Sequence, residues 1–183
     1  RADAGKEQQI ADATCVRIHA DGFRCSTRLD HVARAQIAGE RMSDVIQASS
    51  APKPVVVYPH ARRVGDLLFL SGIGPRDPAT NAIAGNEYFA DGRLRKYDIQ
   101  AQARAVFANV RAVLEASGAT WDDLVDITVY LTDMARDFKA YNAIWAEHFP
   151  DAATAPCRTT LGITALPTPI AIELKCVAAL RKG

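Results

Sequence analysis

From about residue 98 the chain switches between two hydrophobic periods. In "DIQAQARAVFANVRAVLEASG", Ile99, Ala103, Val106, Phe107, Val110, Val113 and Leu114 recur at three- and four-residue spacings. That spacing predicts a helix with one apolar face. Asp98 stands as its N-cap and Gly118 as its C-terminal stop. "LVDITVYL" then alternates, Val125, Ile127, Val129 and Leu131 against Asp126, Thr128 and Tyr130, which predicts a half-buried strand. A second helix is expected over about 136–149, with Phe138, Tyr141, Trp145 and Phe149 as its apolar stripe. Two strands, about 158–163 and 169–180, close the chain.

Upstream, "VVVYP" reads as a β-branched strand closed by proline, and "DLLFLSG" as a second strand ended by Gly72. "GIGPRDPATN" is a tight loop, and Asp91-Gly92 forms a hairpin or loop tip. Strands, helix, strand, helix, strands make an α+β domain, most simply one sheet with both helices on one face. The other face still carries apolar residues, so self-association is expected.

Residues 1–41 lack this regularity. They scatter Arg17, Arg24, Arg28, Arg34 and Arg41 among small and acidic residues. There is no apolar h-region, and Asp12, Asp21, Asp30 and Glu40 argue against a transit peptide. "GERM" at 39–42 suggests a ribosome-binding sequence read as protein, with Met42 as the natural start and 1–41 as a leader outside the 42–183 domain.

The chain has 183 residues and a formal charge of +1, so no global field recruits nucleic acid or an acidic membrane. No apolar run approaches the ~20 residues that span a bilayer. Cys15, Cys25, Cys157 and Cys176 form no CxxC pair, which fits free thiols in a reducing cytoplasm. The spacing of Cys15, His19, Cys25 and His31 is unlike common zinc modules.

Two charges stand out in "PCRTTLGITALPTPIAIELK". Glu173 sits inside the apolar run 170–174, on the sheet face opposite Ile172 and Leu174. In a monomer it is an ordinary exposed acid; covered by another subunit it becomes a partly buried carboxylate with a raised pKa. Arg158 opens the preceding strand beside two threonines, where its guanidinium can bind a carboxylate in bidentate fashion or pair with a surface acid. If the two strands pair antiparallel, Arg158 and Glu173 meet at one end of the sheet. His148 lies near a helix end, and no histidine adjoins Cys157 to activate it. No phosphate-binding glycine motif follows a strand.

In order, "FLSG", "QARAVFANVRAVLEASGA", "VYLTDM..DF..YN", "PCRTT" and "IAIEL" resemble the RidA/YjgF family of enamine/imine deaminases, over roughly residues 58–180. "SGIGPR", the segment up to "YDIQAQ" and "LPTPIAIELK" look most like its 2-aminomuconate deaminase branch. The resemblance implies a six-stranded mixed sheet with two helices, of the RidA/chorismate-mutase-like kind, assembled as a homotrimer with ligand sites between subunits. It implies Arg158 as carboxylate clamp and Glu173 as the acid that positions water. Ser71, Gly72 and Asn142 match further family positions, whereas His60 stands where the family places a tyrosine, and Thr160 where it places a cysteine. His60 suits a different or more anionic substrate, and Arg76 adds a cation if its loop folds over the cleft. The implied reaction is cofactor-independent hydrolytic deamination of a small anionic substrate in the cytoplasm. It is most simply 2-aminomuconate to 2-oxo-3-hexenedioate plus ammonia, in aromatic-compound catabolism. The alternatives are a broad 2-imino acid deaminase and a non-catalytic trimer that binds small carboxylates.

Overall fold

The computed structural model describes residues 44–180. The expected leader, 1–41, and the expected start at Met42 lie outside the described residues. In chain order the elements are β1 (Asp44–Ile46), β2 (Ala61–Val64), β3 (Leu67–Leu70), β4 (Glu87–Tyr88) and β5 (Leu94–Lys96). They continue with α1 (Ile99–Ala116), β6 (Leu124–Leu131), α2 (Met134–His148), β7 (Cys157–Gly162) and β8 (Ile172–Ala179). Six strands form one sheet in the order β1-β2-β3-β8-β6-β7; β4 and β5 form a separate hairpin. β6 and β7 run parallel with α2 as their crossover, and the other neighbours are antiparallel. The sheet is mixed and both helices pack on one face, as expected.

α1 starts where Asp98 Oδ1 accepts from the Gln100 and Ala101 N–H groups at 2.9 and 3.2 Å. It ends at Gly118, whose φ of +74° suits a residue without Cβ. Its apolar face meets the sheet through Val106, Phe107, Val110 and Leu114, all essentially sealed from solvent.

Four sequence expectations are corrected. "VVVYP" is no strand: Pro54 and Pro59 bracket it, and Val55, Val56 and Val57 stay exposed. The outer strand is instead the short β1, paired with β2. The alternation in β6 begins one residue out of phase. Pairing jumps from Leu124–Ala178 to Asp126–Val177, so Val125 bulges outward while Leu124 turns into the core. In α2, Phe138 faces solvent and Asp137 is buried in its stead. Asp137 tolerates this because the Tyr97 hydroxyl donates to it at 2.6 Å and Arg136 Nε at 2.9 Å. Finally, β7 and β8 are not paired with each other; β6 lies between them.

The bulge sets a test. Leu124→Ala should cost about 2–4 kcal/mol in urea unfolding, as for a deleted core side chain. Val125→Thr should stay within about 0.5 kcal/mol. The reverse ranking would mean that β6 keeps a regular register.

Candidate active site

The central position of β6 decides where the two charges go. Arg158 is in register with Ile127 of β6, and Glu173 with Tyr130. Ile127 and Tyr130 are three residues apart, so their side chains leave opposite faces of the pleated sheet. Arg158 therefore projects on the helix side, and Glu173 on the open side. Two strand spacings and three residues of rise put their Cα atoms roughly 14 Å apart. The expected meeting of Arg158 and Glu173 at one sheet end does not occur within a chain. The expectation failed because it paired β7 with β8.

Each charge heads its own cluster. On the open face, Glu173 lies against Gly72: a Cβ at residue 72 would fall 2.8 Å from the carboxyl carbon. Only glycine permits that approach. The backbone bridge between Ile73 and Leu174, at 2.9 and 3.0 Å, holds the two segments together. Burial against this backbone raises the Glu173 pKa. A small cleft opens beside Gly72, lined also by Pro52, Tyr58, His60, Ser71 and Arg76.

Within this cleft the side chains divide by task. The Ser71 hydroxyl donates to the Pro59 carbonyl at 2.6 Å. Arg76 reaches the rim, where Nη2 donates to the Lys53 carbonyl at 2.7 Å and Nη1 to Asn81 Oδ1 at 3.2 Å. Both acceptors are neutral, so the guanidinium charge is not cancelled by them. His60 lines the cleft wall and is tied into it by hydrogen bonds. His60 is buried, Nδ1 accepts from the Ala48 N–H at 3.1 Å, and Nε2 therefore donates to the Pro52 carbonyl at 3.0 Å. With Gln47 Oε1 also 3.0 Å from Nδ1, the imidazole is a staple in the cleft wall.

On the helix face of the edge strand β7, Arg158 Nη1 donates to Asn142 Oδ1 at 2.8 Å. Its guanidinium carbon lies 4.7 Å from the Trp145 ring centre. Thr160, two residues along β7, shares this face. The sequence-predicted site residues thus fall into two groups, Arg158, Asn142 and Thr160 in one, and Glu173, Ser71, Gly72, His60 and Arg76 in the other.

Two contributors escaped the sequence reading. Tyr58 supplies a tyrosine to the cleft, so the wall has one although His60 is not it. Asn109 is buried in α1 and its Nδ2 donates to the carbonyls of Gly74 and Arg76, both at 2.8 Å, fixing the loop that carries Arg76. A polar residue on the buried flank of an amphipathic helix was the available signal. Among the described residues, no three His, Cys, Asp or Glu side chains gather around a metal position. No helix among them is long and apolar enough to cross a membrane.

The family model described as endoribonuclease L-PSP matches residues 48–180. The chain belongs to this family, which is also that of RidA and YjgF. A RutC family protein of Pyrococcus horikoshii is 36% identical over 137 residues, covering 75% of this chain and 98% of its own. A Salmonella typhimurium protein named 2-iminobutanoate/2-iminopropanoate deaminase is 33% identical over 141 residues, 76% of this chain and all of its own. The crystal structure of the Escherichia coli YjgF gene product superposes with a TM-score of 0.63 at 28% identity, over 75% of this chain and 99% of that one.

The raised pKa of Glu173 has a consequence for stability. The folded state binds this proton more tightly than the unfolded chain, so the acid contributes favourably at low pH. That contribution is lost as pH rises through the folded pKa. Glu173→Gln should therefore melt above the parent protein at pH 8 and level with it at pH 4. Equal melting temperatures at both pH values would show that the carboxylate is not desolvated.

Proposed function

We propose that the protein is a hydrolytic deaminase of 2-imino acids and their enamine tautomers. The site is shared between copies of the chain in a homotrimer. The observation that carries this reading is the opposition of the two charges: Arg158 and Glu173 emerge on opposite faces of one sheet. A site that uses both needs a second copy. The open face offers a reason to associate, since Leu67, Phe69 and Leu161 are exposed on it. The name of the Salmonella relative supports the substrate class.

In this reading the substrate carboxylate docks on the Arg158 guanidinium of one copy. The reacting carbon then faces Glu173 and the Gly72 backbone of the next. An enamine takes a proton at carbon and gives one up from nitrogen, becoming the imine. Water adds to the imine carbon, giving one proton to Glu173 while the nitrogen takes another from solvent; Glu173 then protonates the amino group, and the hydroxyl releases its proton to solvent as the carbinolamine collapses to a 2-oxo acid and ammonia. Burial suits Glu173 to this exchange, because a carboxyl that holds its proton more tightly both accepts and returns it nearer neutral pH. Clamp and acid together contribute positioning and general acid–base help.

The test is complementation. Arg158→Ala and Glu173→Gln should each be inactive with 2-iminobutanoate. Dissociated and reassembled together in equal amounts, they should regain roughly a quarter of parental activity, because in a closed ring some interfaces pair two intact halves. Reassembled mixtures that stay inactive, or a stable monomer in sedimentation equilibrium, would overturn the shared site.

A second reading, 2-aminomuconate as substrate, is favoured by Arg76, a cation at the cleft rim held by neutral acceptors. 2-Aminomuconate carries a carboxylate at each end. Losing one charge-assisted contact of about 2–3 kcal/mol should cost Arg76→Gln roughly 30–150-fold in kcat/KM for 2-aminomuconate. Turnover of 2-iminobutanoate should change by less than about threefold. Equal losses on both substrates, or none, would remove Arg76 from substrate selection.

A further inference from the structure

We propose that Trp145, backed by Tyr141, is a positioning residue that fixes the plane of the Arg158 guanidinium and leaves its edge free for a carboxylate. The inference rests on the reading of Arg158 as the carboxylate clamp. Arg158 is an exposed side chain on an edge strand, and its hydrogen bond goes to a neutral amide oxygen, Asn142 Oδ1. A long side chain held so lightly spreads over many rotamers, and fixing it on binding costs affinity. α2 limits that freedom. Residues 141, 142 and 145 occupy one turn of the helix and all meet this guanidinium. Its carbon lies 4.7 Å from the Trp145 ring centre and 5.9 Å from that of Tyr141. An aromatic ring engages the face of a guanidinium, whereas a carboxylate binds along its edge. The two contacts do not compete.

The platform is itself rigid. The Trp145 ring centre is 4.4 Å from Phe149, 6.2 Å from Tyr141 and 6.5 Å from Phe107. Phe107 and Tyr141 are sealed in the core. Tyr141 lies beneath the cation with its hydroxyl buried. Burial raises its pKa, so the ring stays neutral, and the Arg158 charge and its hydrogen-bonding interaction with the hydroxyl only partly offset the shift. Arg158 thus rests on a packed aromatic wall, placed by α2 independently of any substrate.

The probe is 2-oxobutanoate, the ketone counterpart of the imine, titrated by calorimetry so that affinity is read without turnover. The titrations use the assembled protein with melting curves as folding control. Trp145→Leu should weaken binding about tenfold, and Trp145→Phe, which keeps a weaker ring, about two- to threefold. Arg158→Lys should weaken binding strongly in the parent but much less in Trp145→Leu, since a lysine ammonium has no plane to be oriented. Unchanged affinity in the folded leucine variant, or additive losses in the double variant, would overturn the proposal and leave Arg158 as clamp. Unchanged affinity in Arg158→Lys would instead remove the clamp itself. Should Trp145→Leu not fold, parental affinity in Trp145→Phe overturns the proposal. Emission supplies a second readout: with Trp121→Phe, Trp145 is the sole indole of the two in the chain. Its fluorescence should shift on binding, and an unmoved spectrum would count against contact with the clamp.

Discussion

The pairing of β6 with β7 on one side and β8 on the other is the constraint from which the rest follows. A strand presents successive residues to opposite faces, so register alone assigns each side chain to the helix layer or to the open face. Arg158 and Glu173 fall on opposite sides by this rule. No loop movement can bring them together, because both stand within strands of one sheet. A single register step in β7 would reverse the face of Arg158, Thr160 and Gly162 together. The parallel crossover through α2 joins β6 and β7. The same helix supplies Asn142 and Trp145, so the element that joins the strands also furnishes the surroundings of the β7 arginine.

Glu173 and Gly72 show a different economy. An acid placed against backbone and partly removed from water destabilises the fold whenever it is ionised. The sheet tolerates this because the Ile73–Leu174 bridge closes the backbone hydrogen bonds beside it. Proton affinity is gained at the cost of stability, a trade expected at functional positions. His60 shows the opposite case. Buried in the same wall, it engages the Ala48 N–H, the Gln47 side chain and the Pro52 carbonyl, so it holds segments 47–52 and 58–61 together.

Much of this was legible from residue types, and the failures have physical causes. α1 declared both ends through Asp98 and Gly118, and its apolar face through period. β6 was visible as a strand, but a bulge inverts phase without altering composition, so Val125 and Leu124 exchanged roles unseen. Asp137 was hidden because its burial depends on Tyr97, 40 positions earlier in the chain. The members of each candidate cluster were named from motifs, but their division into two groups was not. That division depends on strand order, which short-range pattern does not encode.

The arginines sharpen the view of what the molecule is built to meet. Arg93, Arg104 and Arg136 each pair with a carboxylate of their own chain, at 2.7, 2.6 and 2.9 Å. Arg158 and Arg76 instead bond amide or backbone oxygens. A neutral acceptor orients a guanidinium without cancelling its charge. An internal carboxylate would have to be displaced before any anionic ligand could bind, and its attraction would be subtracted from the affinity gained. Holding these two cations with neutral oxygens and aromatic faces keeps them oriented while their electrostatic attraction stays unspent. Glu173, across the sheet from Arg158, is treated in the same manner: it meets glycine and backbone, and desolvation raises its pKa. Arg158 on the helix side and Glu173 on the open side are complementary charges kept apart by the sheet. Under the proposed function, this separation suits a substrate whose carboxylate docks on Arg158 of one copy while its reacting carbon faces Glu173 of the next.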